Sequence, residues 1–210
     1  MSWHTKSDQL ISGSWLYGRI ELQVSDVSFD GKYMVYAARG KNGKSWTGVC
    51  NPPWLEAITD AECASPSRGG GFWHDAQTLI LQNWEAEGLP FDCYTLDDWY
   101  RRLGQPPHYD PLIERYGWKD DGDSLSLRPA HDHTVLRFRD GTYSIDEFPD
   151  LLDEVVDSAA YDSEGSLVFS RLGVLTKCEP SDLKHGRTTY SFDLETLPDG
   201  ERWSGSPVRR

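Results

Sequence analysis

The sequence predicts an all-β fold built from four consecutive small sheets, and composition and internal repetition both support it. Nine Trp, ten Tyr, seven Phe, 19 Gly and 12 Pro in 210 residues are typical of many short strands joined by tight turns. The repetition appears in two separate registers along the chain. A charged fraction of 26% and an apolar fraction of 38% are ordinary for a folded chain, so disorder is not expected.

The first register joins a polar turn to an apolar strand. Its four copies are DGKYMVYAAR, HDAQTLILQN, DDGDSLSLRP and DSEGSLVFSR, which begin at positions 30, 74, 120 and 162. The anchor residues of these strands are 45, 46 and 42 positions apart: Tyr33, Thr78, Ser124 and Ser166. These steps match the roughly 40–50 residues of a propeller blade. We therefore expect turns at equivalent places near Asp30-Gly31, Asp75-Ala76, Gly122-Asp123 and Glu164-Gly165.

The second register is Tyr-Ser/Thr-apolar-Asp, found at Tyr94, Tyr143 and Tyr190, which are 49 and 47 positions apart. The first unit carries only GVCN at 48–51 in this slot. Cys50 would then occupy a strand position like those of Ser144 and Ser191, with a packing role. Together the registers predict a four-bladed β-propeller with four short strands in each blade.

The rest of the chain completes this architecture. Residues 13–200 are expected to form the propeller, whereas 1–12 and 201–210 are expected to be flexible ends. The strand at 14–24 is the natural closing strand beside TTYSFDLETL at 188–197. Helix-like spacing at 95–117 and 146–157 predicts short helices between blades. In the second of these, Leu151, Leu152, Val155 and Val156 are expected on one face.

Two segments resemble known propeller repeats. SFDGKYMVYAAR at 28–39 is similar to the Ser-x-Asp-Gly-Lys-x-x-x-Tyr strand of Tol-type and WD-type repeats. FPDLLDEVVDSAAYDSEGSLVFSR at 148–171 resembles a hemopexin-like blade, in which Phe-Pro leads a short helix into Asp-x-Ala-aromatic. The resemblance covers about two of the four units and implies architecture, because propellers carry many unrelated functions.

Charge and cysteine usage narrow the class of function. The formal net charge of −13 repels nucleic acid and anionic membrane but attracts basic proteins. The N-terminal residues lack the pattern of a secretory signal and no apolar window approaches 18 residues, which predicts a cytoplasmic protein. Cys50, Cys63, Cys93 and Cys178 form no C-x-x-C pair, so we expect four reduced thiols and neither a metal knuckle nor a redox pair.

Few residues are candidates for catalysis or for binding a metal or phosphate, and for each of them a structural role is the favoured interpretation. His131 and His133 flank Asp132 and could grip a metal, but a solvated hairpin tip is the favoured interpretation. His74 beside Asp75 could be a general base, yet no nucleophile can be assigned to it, and turn residues explain the pair better. The three glycines at 69–71 lack the Lys-Ser/Thr of a phosphate loop, and the acidic runs at 120–123 and 150–157 fail the EF-hand spacing.

Other candidates depend on where the blades place them. Asp26 and Asp157, with Asp60 as a third candidate, precede small residues at the expected start of a strand. The resemblance to hemopexin-like rings implies that such residues line a central channel. Most tryptophans are expected in blade cores, but some of those beside turns could be exposed interface anchors: Trp46, Trp73, Trp99 and Trp118.

These observations predict a non-catalytic protein-binding propeller that captures a basic protein, in the form of an immunity-type inhibitor of a basic toxin or effector. No cofactor or metal is called for. The alternative is a hemopexin-like propeller that binds a small ligand or metal through His131 and His133 or through the Asp26 and Asp157 positions. A hydrolase using His74 and Asp75 ranks third. The residues expected to bind the partner are Trp73, His74, Asp75, Trp118, Asp120, Asp121, His131, Asp132 and His133.

Overall fold

A computed structural model of the chain describes residues 2–103, 117–129, 134–152, 155–196 and the backbone of 201–203. The chain divides into two compact units. Unit 1 comprises Met1–Pro111 with Asp199–Arg210, and unit 2 comprises Leu112–Pro198. Both units are mostly β, and each contains two of the four principal sheets.

Unit 1 contains sheets I and II. Its strands within residues 1–111 are β1 (Ser2–His4), β2 (Gln9–Ile11), β3 (Ser14–Leu16), β4 (Gly18–Ile20), β5 (Asp26–Val27), β6 (Met34–Gly40), β7 (Ser45–Cys50), β8 (Ala57–Cys63), β9 (Gly71–Asp75), β10 (Thr78–Leu81) and β11 (Asp92–Thr95). Sheet I has the order β4-β6-β7-β8, with β5 also paired to β6, and sheet II has the order β9-β10-β11. Helix α1 spans Leu96–Leu103, and short 3-10 helices span Leu22–Val24 and Pro66–Arg68.

Unit 2 contains sheets III and IV, each a four-stranded antiparallel meander. Sheet III consists of β12 (Lys119–Asp120), β13 (Leu125–Leu127), β14 (Leu136–Arg139) and β15 (Thr142–Ile145). Sheet IV consists of β16 (Ser158–Tyr161), β17 (Leu167–Arg171), β18 (Val174–Cys178) and β19 (Tyr190–Asp193). The helices are α2 (Pro180–Leu183) and two 3-10 turns at Pro149–Leu152 and Leu194–Thr196.

Within each unit, the two sheets share an apolar core, as neighbouring propeller blades do. In unit 1, Val35 and Val49 of sheet I pack with Trp73, Leu79 and Leu81 of sheet II, all without exposed surface. In unit 2, one cluster joins both sheets to the helical segments: Leu127, Leu136, Ile145, Leu152, Val156, Ala159, Leu167, Phe169, Cys178 and Leu183. Each fully buried Leu or Val contributes roughly 1.5–3 kcal/mol, so this packing is the main source of stability.

The four predicted turns are confirmed, and each joins two antiparallel strands of one sheet: β5 to β6, β9 to β10, β12 to β13 and β16 to β17. In every turn an aspartate side chain accepts the backbone N–H two residues later, which closes an Asx turn. The pairs are Asp30 with Lys32, Asp75 with Gln77, Asp120 with Gly122 and Asp162 with Glu164, at 2.8–3.1 Å. These aspartates are 45, 45 and 42 residues apart, so the repeat is one of turn chemistry.

The second register is confirmed for three sheets, because Tyr94, Tyr143 and Tyr190 lie in the last strands β11, β15 and β19. The expected packing role of Cys50 is confirmed, since it is a buried strand residue, but its expected slot is wrong: it ends β7, the third strand of sheet I, and the last strand is β8. Sheet II also departs from the pattern, since residues 82–91 form no strand. In a meander the fourth strand runs parallel to the second, so without a third strand β11 pairs directly and in parallel with β10.

The chain ends also differ from the prediction. Strand β3 pairs in parallel with β20 (Glu201–Trp203), which belongs to the segment expected outside the repeat, whereas β19 pairs with β18. Strands β1 and β2 form a hairpin within residues 1–12. The flexibility of both ends and the domain limits remain predictions. The predicted fold class, an all-β four-bladed propeller with short helices, is confirmed by the four successive blade-like sheets.

Both predicted helical insertions contain helix among their described residues. Helix α1 accounts for the start of 95–117, and residues 104–116 lie outside the described part. In the second insertion, Leu152 and Val156 are buried, but Val155 is 81% exposed. The predicted common face is therefore wrong for Val155, because Val155 and Val156 themselves are not part of a helix.

Candidate partner-binding surfaces

Trp73 is a core residue, so its predicted role as an exposed partner anchor is wrong. Its side chain has no exposed surface, and its ring lies 4.6 Å from Phe91 and 6.1 Å from Tyr33, measured between ring centroids. Trp46 is also buried, in a second cluster of unit 1. Trp73 and Trp46 therefore both pack in the core, although each lies beside a turn. This agrees with the expectation that most tryptophans lie in blade cores.

His74 and Asp75 are exposed, but each has its own partner. The His74 ring lies 4.6 Å from the half-buried Trp99 ring. The Asp75 carboxylate accepts the N–H of Gln77 at 2.8 Å and the hydroxyl of Thr78 at 3.0 Å. The pair therefore serves a ring contact and a turn, which is the role favoured from the sequence.

The predicted residues of unit 2 occupy the start of sheet III. Trp118 is half-buried against the core of unit 2, 6.3 Å from Tyr143 between ring centroids, and Asp120 closes its Asx turn. Asp121 accepts a hydrogen bond from Arg137 Nη1 at 3.2 Å, and Arg137 Nε is 2.7 Å from Asp146. The predicted residues His131, Asp132 and His133 lie outside the described residues.

The three aspartates expected at strand starts occupy different environments. Asp26 opens β5 and is 4% exposed; its oxygens accept the N–H groups of Val27 at 2.8 Å and Trp73 at 2.7 Å. Asp157 directly precedes β16, is exposed, and accepts the N–H of Leu172 at 3.1 Å. Asp60 lies inside β8, the last strand of sheet I, so its predicted place at the start of a blade is wrong.

The negative charge is concentrated in unit 2. Residues 112–198 contain 18 acidic and nine basic side chains, a net charge of −9, whereas the rest of the chain contains 16 acidic and 12 basic ones, a net charge of −4. Many of the unit 2 carboxylates are exposed: Asp120, Asp121, Asp123, Asp140, Asp146, Glu147, Asp150, Asp157, Glu164, Asp193 and Glu195. Unit 2 therefore presents a negative field that favours cationic partners.

An apolar groove lies in unit 1. The groove has a volume of about 380 Å³, and none of its lining residues is charged. We call it the aromatic groove. It is lined by Ser14, Trp15, Leu16, Gly18, Ile20, Met34, Pro52, Pro53 and Leu55. Trp15 on its wall is 51% exposed, and Trp54, between two lining residues, is 44% exposed. Exposed indoles beside an apolar depression are typical of contact surfaces.

Hydrogen bonds hold the two walls of the aromatic groove together. Ser14 donates its N–H to the Pro53 carbonyl at 3.2 Å, and its hydroxyl oxygen accepts the N–H of Leu55 at 3.2 Å. The buried Tyr36 hydroxyl donates to the Leu55 carbonyl at 3.0 Å. A Cβ at Gly13 would collide with Pro53, so this close approach requires glycine. The groove is thus formed before any ligand arrives.

Sequence reasoning did not single out the aromatic groove. The sequence pattern places Trp15 in a closing strand and assigns no role to Trp54. The Pro52-Pro53 pair before Trp54 was an available signal, because consecutive prolines favour an extended loop that leaves the next side chain outside a sheet. The joining of Ser14 to that loop, 41 residues away, has no local signature.

The thiols offer no activated nucleophile. All four cysteines are free. Burial raises the pKa of Cys50 to about 12 and that of Cys93 and Cys178 to about 11, and it also raises the pKa of Cys63. Thiols with raised pKa values stay protonated at neutral pH and are poor nucleophiles.

Comparison with protein-family models, curated proteins and solved structures finds no match to this chain. No family match therefore supports the resemblance of two segments to hemopexin-like, Tol-type and WD-type blades. Among the described residues, no group of three or more His, Cys, Asp or Glu side chains is placed to hold a metal ion. Within the same part of the chain, no helix combines the length and apolar character needed to cross a membrane.

Proposed function

We propose that this protein is a non-catalytic binding protein whose partner is a basic protein, and that it acts as an immunity-type inhibitor of a basic toxin or effector in the cytoplasm. The observation that carries the proposal is the net charge of −9 on unit 2. Its exposed carboxylates would attract a basic partner over a distance of about one screening length, roughly 8 Å at physiological salt.

The aromatic groove supplies the short-range part of the proposed contact. Long-range attraction raises the rate of association, whereas slow dissociation requires apolar side chains buried against the partner. Trp15 and Trp54 replace Trp73 and Trp118 as the proposed anchors. Trp15 lines the groove and is 51% exposed, and Trp54 stands in the sequence between two lining residues and is 44% exposed. An apolar side chain of the partner would fill the groove.

The test begins with a pull-down from the native host and identification of the retained protein by mass. Association and dissociation rates are then measured as salt is raised from about 0.05 to 0.5 M, which shortens the screening length from roughly 14 to 4 Å. Association should slow severalfold and dissociation should change little. A salt-independent association rate would contradict the electrostatic part of the proposal.

Charge-matched variants locate the attraction. Neutralising three exposed acids of unit 2 should slow association more than neutralising three of unit 1, since unit 2 carries the larger charge. The unit 2 variant is D123N/D150N/E195Q, and the control in unit 1 is E85Q/E87Q/D97N. Trp15→Ala and Trp54→Ala should instead speed dissociation; unchanged dissociation in both folded variants would remove the groove from the proposed interface.

The aromatic groove also favours a second candidate function, the binding of a small apolar ligand. Its volume of about 380 Å³ falls within the roughly 300–1,000 Å³ of small-molecule sites. A hemopexin-like ligand or metal site using His131 and His133 belongs to the same alternative. Saturable binding of a small ligand that is lost in Trp15→Ala, with no basic protein retained in the pull-down, would favour this candidate.

A further inference from the structure

The hairpin tip between β17 and β18 carries an apolar residue where the backbone disfavours one. Leu172 and Gly173 both have positive φ, 48° and 80°, as the two central residues of a tight hairpin turn do. This left-handed region suits Gly, Asn and Asp, and a bulky side chain is strained there. Leu172 is also 84% exposed, so its side chain gains little from burial in its own unit.

Another hairpin turn in the same unit has nearly the same backbone conformation and carries a residue type that suits it. The hairpin between β14 and β15 has Asp140 and Gly141 at φ 51° and 80°, nearly the same backbone, with the preferred aspartate at the first position. Asp8 at φ 51° follows the same preference. Neither backbone conformation nor burial explains a leucine at position 172, and residues kept in such strained conformations cluster at functional sites.

Hydrogen bonds tie the tip to Asp157, which directly precedes β16. The Asp157 carboxylate accepts the N–H of Leu172 at 3.1 Å, and the N–H of Asp157 donates to the Ser170 carbonyl at 2.8 Å. Val155, two residues before Asp157, is 81% exposed. The neighbouring Arg171 points its guanidinium back to the Leu151 carbonyl at 3.4 Å and toward the Phe169 ring, 5.7 Å from its centroid.

We propose that Leu172 is an anchor that enters an apolar pocket on a basic protein partner. Lys and Arg side chains of the partner would border this pocket, because the tip belongs to the unit with a net charge of −9. The tip is also hydrogen-bonded to the exposed Asp157. Strain at the tip is retained because Leu172 contributes to binding rather than to folding. This inference rests on the proposed function and names the chemistry of the partner's contact site.

The test compares Leu172→Asn with Asp140→Asn, which places the same residue on the matched turn. Full-length chains are immobilised at about 0.05 M salt and exposed to lysate of the native host, and the retained basic protein is identified by mass and purified. Its kinetics are then measured against both variants and the parent chain. We expect L172N to speed dissociation roughly 30-fold with association unchanged, and D140N to match the parent.

Stability measurements separate an anchor from a structural residue. L172N should raise the melting temperature by a few degrees, because asparagine fits the turn. A fall in melting temperature, or self-association that L172N abolishes, would overturn the inference by assigning Leu172 to folding or to a second copy. A basic protein bound equally by L172N and the parent would overturn the inference and leave the proposed function standing. Retention of no basic protein by the parent would overturn both.

Discussion

Replacing Asp26 with alanine should destabilise unit 1, because this buried carboxylate joins its two sheets. Asp26 lies in β5 of sheet I, and its Oδ2 accepts the N–H of Trp73 in β9 of sheet II at 2.7 Å. Its Oδ1 accepts the N–H of Val27 at 2.8 Å. The first bond is buried, and Asp26 itself is 4% exposed, so water cannot easily replace the lost acceptor.

The expected cost follows from these two bonds. Leaving the Trp73 N–H without an acceptor in the core costs about 1–3 kcal/mol, and losing the partly buried bond to Val27 costs about 1 kcal/mol more. Removal of a buried charge recovers part of its desolvation penalty, which offsets some of this loss. We expect Asp26→Ala to lower the free energy of unfolding by about 2–3 kcal/mol, a large share of the roughly 5–15 kcal/mol of a typical domain.

Urea unfolding followed by far-ultraviolet circular dichroism measures this change. Asp157→Ala is the matched control, since Asp157 stands at the start of sheet IV and bonds one N–H from an exposed position; its cost should stay below about 1 kcal/mol. Asp26→Asn, which keeps one acceptor oxygen, should fall between the two. If Asp26→Ala costs no more than Asp157→Ala, the carboxylate does not join the sheets energetically and the reasoning fails.

Two further predictions concern titratable groups. Hydrogen bonds from the side chains of Lys32 and Ser28 lower the pKa of Asp30 from 3.8 to about 2, so its stabilising effect is complete above the unfolded pKa and is lost as pH falls from about 4 toward 2. Asp30→Asn should reduce this acid-dependent loss, measured by urea unfolding at pH 6 and 2.5; an identical acid dependence would contradict it. Thiol titration should count four groups in denaturant and proceed far more slowly in the folded protein at pH 8, because burial raises the pKa of Cys50 to about 12. A count of two or none would show pairing.

Local chemistry made the repeat readable from the sequence. An aspartate that accepts the N–H two residues later closes a turn with atoms from three consecutive residues, so the turns at Asp30, Asp75, Asp120 and Asp162 appear in the sequence at nearly regular steps. The Tyr-Ser/Thr-apolar-Asp register marks last strands for a similar reason, since alternation within a strand is local. Net charge is also a property of composition alone.

The exposure of the tryptophans was decided by tertiary structure. Trp73 and Trp54 both stand near turns, yet Trp73 is completely buried between sheets I and II, whereas Trp54 follows the Pro52-Pro53 loop and is 44% exposed. Which side of a strand is buried depends on the sheet that packs against it, and that sheet comes from a distant part of the chain. The candidate anchors could therefore not be ranked from sequence patterns.

The sequence by itself determined the all-β class, the positions of the four Asx turns and the acidic character of the chain, because each depends on neighbouring residues or on composition. Tertiary structure decided the parallel pairing of β10 with β11, the pairing of β3 with β20 and the joining of Ser14 to the loop that carries Pro53. Tertiary structure also places Leu172 at an exposed hairpin tip. From the sequence alone this leucine is indistinguishable from a strand residue, because its positive φ has no sequence signal. These features join residues far apart in the chain or depend on backbone angles, and neither has a local signature in the amino-acid pattern.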